Sequence, residues 1–348
     1  MKNYVYFIII LVAISLAGVT LYEKSHAQKV IYVVSMTPDE MSAALKNGSI
    51  SGFISWEPQS AKTVAEGYGR YLVNSQDIWK NHPSCGLAIS EYLLKDEDTV
   101  RALVWVHVKS TRFVNDPANR EKVLKYGSEF TGVDHEASAA AINNTVYMEF
   151  PDMGETKKVV GILDKAGALK KSPVEMGYND VDDFLSSIIL DRYYKEIGKR
   201  LEEEPDWTPP AVNGSLRFGY IDGNIHYLAV YVAQKEGYFE RVGLIPDKNI
   251  KFLKFRNGLA ITNAFSHREV DVATLGMSQI FRYDINDNGK VYIINGMNSG
   301  GTSLVVRADS NIGSIDDLSG STIATPGFGS VQDVIMRKMF EGFEIKTV

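Results

Sequence analysis

The chain is poor in the residues on which most active sites depend. Among its 348 residues there is one cysteine, Cys85, so neither an intramolecular disulfide nor a cysteine-based metal cluster can form. Cys85 lies in the short apolar run Pro83–Ile89 and reads as a buried thiol; no neighbour that would activate a nucleophile can be identified. The six histidines (His26, His82, His107, His135, His226 and His267) are scattered, and none has zinc-site spacing to another histidine or a glutamate. There is no Gly-x-Ser-x-Gly elbow and no Gly-Lys-Ser phosphate loop. Gly327-Phe328-Gly329 is a dinucleotide fingerprint without its third glycine. Basic charge is also in deficit: the formal net charge is −6, which argues against nucleic acid and anionic membrane surfaces as partners. A small anion is not excluded, because local backbone dipoles can outweigh the global charge. These absences point to a protein that is not an enzyme, with no cofactor and no metal.

The composition, 45% hydrophobic and 23% charged, is that of a globular protein, and the length suffices for two lobes. Lys2 precedes an apolar run from Tyr4 to Tyr22, and Ser25 and Ala27 stand where small residues precede a signal-peptidase cut. The run is long enough to span a bilayer. Residues 1–28 therefore read as a signal peptide or membrane anchor, and the protein as exported. No cysteine follows the run to carry a lipid.

Beyond the leader the pattern is α/β. Val30–Val34 reads as a strand, Thr37-Pro38-Asp39-Glu40 as a capping box opening a helix that stops at Asn47-Gly48, and Ser51–Ser55 as a strand before Trp56-Glu57-Pro58. From about Leu87 the chain reads as helical, with helices at Thr99–Val114, Arg120–Tyr126, His135–Ile142, Glu155–Ala166 and Val181–Ile197. Residues 201–214, acidic and carrying three prolines and a final Asn-Gly, read as an extended linker. Strands and helices then alternate: strands at Leu216–Ile221, Ile250–Phe255, Val270–Leu275, Val291–Asn295, Ser303–Val306 and Thr322–Thr325, and a last helix at Val331–Phe340. Ser314–Asp317 is a second capping box.

Three places repeat one arrangement, in which a strand ends in a small-residue loop and an N-cap residue opens a helix. They are Asp222-Gly223-Asn224, Gly276-Met277-Ser278 and Pro326-Gly327-Phe328-Gly329-Ser330. Each is expected to offer unpaired backbone N–H groups at a positive helix end. In an open α/β sheet such loops lie at the carboxyl ends of strands, where ligands bind. Converging, they would hold an anion without a basic side chain.

Taken in order, these segments resemble the periplasmic binding proteins of transporters for aliphatic sulfonates, taurine and nitrate, a family that includes thiamine-precursor binders. The beginning of that family resembles Leu216–Ile221, Ala233–Glu240, Ala264-Phe265 with Glu269–Ala273, Ser314–Ala324 and Gly329-Ser330. Its later part resembles Ser35–Met41, Gly48–Phe53, Trp56-Glu57-Pro58 and Ser90–Leu93, which come first here. The two blocks thus stand in circularly permuted order, tolerable where old termini lie close together. The alternative is a truncated tandem gene that pairs as a domain-swapped oligomer. In the family, Phe343–Val348 would run straight into a segment like Ile31–Met36.

The resemblance implies a two-lobed, type II binding-protein fold with a hinge, capturing a small, anionic solute and delivering it to an ABC transporter permease and ATPase complex. It implies residues 29–89 in the second lobe, 90–200 returning to the first, 201–214 as linker, 215–308 in the first lobe and 309–348 in the second, with hinge crossings near Arg307–Asn311 and Pro83–Ser90. The location implied is the periplasm or the outer face of the cytoplasmic membrane, with residues 4–22 as the means of anchoring. Expected ligand contacts are Asn224, His226, Ser278, Ser299, Thr302, Gly329 and Ser330, with Trp56 and Glu57 closing the site. Two other readings share the scaffold: a thiamine-pyrimidine-precursor binder or synthase, the latter disfavoured by the single cysteine, and a membrane-tethered ligand sensor.

Overall fold

A computed structural model of the protein describes residues 28–348. The expected leader, with its apolar run 4–22 and its Ser25–Ala27 boundary, lies outside the described residues. No helix among the described residues is long and apolar enough to cross a membrane.

The strands are β1 (Val30–Ser35), β2 (Gly52–Trp56), β3 (Gly69–Asn74), β4 (Pro83–Ser90), β5 (Thr145–Tyr147), β6 (Leu216–Ile221), β7 (Ile250–Phe255), β8 (Val272–Gly276), β9 (Val291–Gly300), β10 (Thr302–Arg307), β11 (Thr322–Thr325) and β12 (Glu344–Thr347). They form two six-stranded sheets, in the orders β12-β1-β11-β2-β10-β3 and β5-β9-β4-β8-β6-β7. Each sheet anchors one lobe of a two-lobed α/β protein. The first sheet is built from both ends of the chain: β1 lies between β11 and β12, parallel to both.

Local chemistry explains the elements that were legible. The Pro38–Asn47 helix carries its capping box, with Thr37 N–H donating to Glu40 Oε2 at 2.7 Å and Glu40 N–H returning to Thr37 Oγ1 at 3.4 Å. Gly48 ends it at φ +78°, a conformation that glycine adopts without steric cost. β2 and β4 are buried almost throughout and read as short apolar runs instead of alternating strands.

Long-range pairing overrides the local reading elsewhere. Pro83–Ser90 is a strand, not the start of helical structure, because it is walled by β8 and β9 on its two edges. It therefore belongs to the lobe opposite the one expected for residues 29–89. Likewise Thr302–Arg307 leaves the expected 215–308 unit, since it pairs antiparallel with β2 and β3. The chain accordingly crosses between sheets at Gly300-Gly301, ahead of the expected Arg307–Asn311, and across 75–82, directly before the expected Pro83–Ser90. The expected helix at Val181–Ile197 is two, Val181–Ile188 and Asp191–Glu203, separated where Leu190 N–H donates to Ile293 O at 2.8 Å. Residues 201–203 complete the second of these. The rest of the expected linker is docked: Trp105 Nε1 donates to Trp207 O and Val212 N–H to Val242 O. Finally, the chain's end does not run on into β1. β12 lies beside it in parallel register, Val30 opposite Glu344 and Val33 opposite Thr347, so joining them end to end would need a crossover.

Leu304 on β10 is fully buried between Ile54 and Val73, at the point where segments from distant parts of the chain meet. Leu304→Ala should cost roughly 2–5 kcal/mol in denaturant unfolding. A change within about 0.5 kcal/mol of zero, typical of a surface site, would contradict this packing.

Candidate functional site

A cleft of about 1130 Å³ opens between the lobes, and an inner cavity of about 360 Å³ lies against it; Trp56, Ile221, Asn257 and Pro326 line both. Ser35, Ile221, Phe255 and Gly276 end the parallel strands β1, β6, β7 and β8, and Pro326 directly follows β11. All five line one or other space. Carboxyl ends of strands from both sheets therefore converge, the arrangement in which open α/β sheets hold ligands.

Of the expected contacts, Asn224, His226, Ser330 and Trp56 line the inner cavity. The other five sit behind its wall. Ser278 is fully buried and donates to Gln279 Oε1 at 3.0 Å, so the second loop presents Gly276 and Gln279 instead. Thr302 is buried and accepts from Gln332 Nε2 at 3.1 Å, and Gln332 is the residue facing the cavity. Ser299 is buried, accepting from Gln76 Nε2 at 2.6 Å. Gly329 is covered by the Arg282 guanidinium.

Glu57 lines neither the cleft nor the inner cavity. It is fully buried, and its carboxylate accepts from Ala61 N–H, Tyr71 OH and Asn144 Nδ2, each at 2.9 Å. Burial pushes its carboxyl above the usual range, against the pull of these three donors. Tyr71 and Asn144 come from opposite lobes, so Glu57 ties the lobes together at the crossing.

The free N–H groups expected at the helix starts are partly consumed. Asn224 Oδ1 accepts from His226 N–H at 3.1 Å. Asp333 Oδ2 takes Gly329 N–H at 2.9 Å, and Ser330 Oγ takes Asp333 N–H at 3.1 Å. The first and third helix starts thus satisfy part of their own donors, whereas the second, at Gly276, has no side-chain cap. Cationic side chains stand at the cleft instead: Arg256 in the outer space and Arg282 in the inner one. A lone arginine on an amphipathic pattern carries no local sign of this role.

His226 anchors the floor. Its Nε2 lies 2.8 Å from Gly301 O, which can only accept, so Nε2 carries the proton and Nδ1 is left as an acceptor 3.6 Å from Cys85 Sγ. Tyr227 OH donates to the same sulfur at 3.6 Å. Burial raises the Cys85 thiol to about 11, which keeps it neutral and inert as a nucleophile at pH 7. Burial lowers His226 to about 4. His82, buried at the other crossing with Nε2 2.9 Å from Ser75 Oγ, is also lowered to about 4, first by burial and then by His226.

Both histidines thus bind protons more readily unfolded, near 6.5, than folded. Their contribution is intact above pH 6.5 and is lost as pH falls towards 4. Each histidine should take roughly 2 kcal/mol from the unfolding free energy between pH 7 and 5, while the buried carboxyls of Asp284, raised to about 7, and Glu57 work in the opposite direction over the same window. Denaturant midpoints of wild type and His82→Gln across this window isolate the histidine share: the variant should lose less stability than wild type as pH falls, and parallel profiles would contradict a neutral buried imidazole at His82.

Comparison with known proteins adds an independent line. Residues 12–127 match the NMT1-like family, and residues 224–347 match the family described as NMT1/THI5 like. The chain is 33% identical over 96 residues to the nitrate import ATP-binding protein NrtC of Synechococcus elongatus, and 28% identical over 94 residues to the bicarbonate transport ATP-binding protein CmpC of a Synechocystis species. Each alignment covers 27% of this chain, and the chain spans only 15% and 14% of the length of these relatives. The two family matches together take in more than half of the chain, and they support its kinship with the nitrate, sulfonate and thiamine-precursor binding proteins of the NMT1-like group.

Proposed function

We propose that the chain is an extracytoplasmic solute-binding protein that captures a small, anionic solute between its lobes and delivers it to an ABC-type permease with its ATPase. The observation that carries this is the convergence of strand carboxyl ends from both sheets on one cleft, so that a solute there touches both lobes at once. A ligand bridging two lobes favours the closed arrangement by its differential contacts. The transport context draws on the NMT1-like matches and on relatives whose names place them in nitrate import and bicarbonate transport. Export and attachment to the membrane rest on the sequence of residues 4–22.

Binding, not catalysis, is the role the groups favour. The histidine and cysteine at the cavity floor are held neutral by burial, and their hydrogen-bonding atoms are engaged with one another. Within the expected set of sulfonates, taurine and nitrate, a space of about 360 Å³ favours an organic anion. A bare oxyanion would leave most of it to water, whose share of liquid volume is roughly 30 Å³ per molecule.

The permuted block order belongs to the same proposal. Its support is the docked segment 204–214, which joins the helix Asp191–Glu203 to β6 within one lobe, where the permuted order puts the rejoined termini.

Thermal-shift screening of residues 28–348 against sulfonates, taurine, nitrate and pyrimidines tests the function. A captured solute raises apparent stability by about 2.7 kcal/mol at a hundredfold excess over Kd; no shift with any of them at millimolar concentration would remove this ligand class. Ser330→Asp keeps a competent N-cap and places a carboxylate in the cavity wall. It should abolish binding of the anion and leave the circular dichroism unchanged; undiminished binding would contradict the site.

A further inference from the structure

We propose that Arg282 is the specificity-determining residue of the cleft, reading the charge of an organic anion while it holds the opposite lobe against that ligand. The inference rests on the solute-capture reading and assigns its charge recognition to one side chain.

Arg282 projects from the helix Met277–Asp287, which follows β8. It reaches across to the loop after β11 in the other sheet, where Nη1 donates to Phe328 O at 3.0 Å. The guanidinium lies flat against Gly329: a Cβ there would stand 2.7 Å from both Cζ and Nη1. Gly329 also has φ +72°, so the loop is shaped for this approach by a residue that no side chain can replace without strain. Arg282 nonetheless lines the inner cavity.

Its hydrogen-bonding capacity is largely unspent. Nε is buried with no acceptor. Among the described residues no carboxylate lies within 4.0 Å of the guanidinium. Asp284, two residues on, is pushed up to about 7 by burial and makes no ion pair with it; Asp287, on the same cavity wall, accepts from Lys170 at 3.3 Å, and Asp333 in the facing helix accepts from Arg337 at 3.0 Å. A partly buried guanidinium with no counter-ion is an incomplete ion pair. A planar fork of donors suits a sulfonate or carboxylate. The same cavity offers Trp56 and Leu259 as apolar surface for the rest of such a molecule. An anion at Arg282 would fix the side chain that carries the Phe328 loop, which couples charge recognition to the contact between lobes.

A charged and neutral isosteric pair, benzenesulfonate and benzenesulfonamide, tests this by calorimetric titration of the folded protein, residues 28–348. The expected result is that wild type prefers the sulfonate and that Arg282→Gln weakens the sulfonate about tenfold to a hundredfold while leaving the sulfonamide unchanged. Arg282→Lys should recover part of the preference, which a purely structural role would not do. Gly329→Ala keeps the Arg282 side chain but displaces its guanidinium, and should reduce the same preference even if Arg282→Gln fails to fold. Equal binding of the two probes by wild type, or an unaltered preference in the folded variants, would overturn the role of Arg282 while leaving solute capture intact. Binding of neither probe would also overturn it; only if nitrate, taurine and pyrimidines fail as well does solute capture fall with it.

Discussion

The backbone carbonyl of Gly301 is the point on which the two lobes depend. It accepts from Glu57 N–H at 2.9 Å and from His226 Nε2 at 2.8 Å, while Gly301 N–H donates to Asn144 O at 2.7 Å. These partners come from β2's carboxyl end, from the loop after β6 and from the segment before β5, so one residue gathers both sheets. Gly300 and Gly301 have φ +71° and +68°, and a Cβ on Gly300 would stand 2.7 Å from Asn144 O. Two glycines are needed because the backbone must turn from β9 into β10 while pressed between its neighbours. Because Gly301 O can only accept, it fixes the tautomer of His226; burial keeps that imidazole neutral.

The rest of the cleft is arranged around this crossing. Glu57, next to the crossing, spends its carboxylate on Tyr71, Asn144 and Ala61. Trp56, its neighbour, is left free to line the cavity. Thr302, one residue past the crossing, holds Gln332, and Ser299, just before it, holds Gln76. Polar side chains beside the crossing thus form a buried frame, and Trp56 and Gln332 stand in front of it facing the inner cavity. A buried polar network of this kind is costly unless its members are paired, and pairing also orients the outer layer.

Much of this was legible in the sequence, for identifiable reasons. The capping boxes at Thr37 and Ser314 and the strands Leu216–Ile221, Ile250–Phe255 and Thr322–Thr325 are set by local chemistry and came through unchanged. The loops at Asn224 and Ser330 were found as strand ends followed by helix caps. What failed was information held elsewhere in the chain. The sheet to which Pro83–Ser90 or Thr302–Arg307 belongs is decided by partners far away in sequence. Whether a small polar residue faces the cavity or its frame depends on packing a few ångströms deep, which separated Ser330 from Ser278 and Thr302. Arg282 was invisible because its meaning comes from a carbonyl and a glycine some forty-six residues later in the chain.

On the proposed solute capture, one chain strung through both sheets would close its lobes on a single small solute. Solution scattering of residues 28–348, recorded with and without saturating organic sulfonate, tests it most directly. A one-chain mass in both states and a smaller radius of gyration with solute bound are expected. A two-chain mass, or an unchanged scattering profile with solute demonstrably bound, would contradict it.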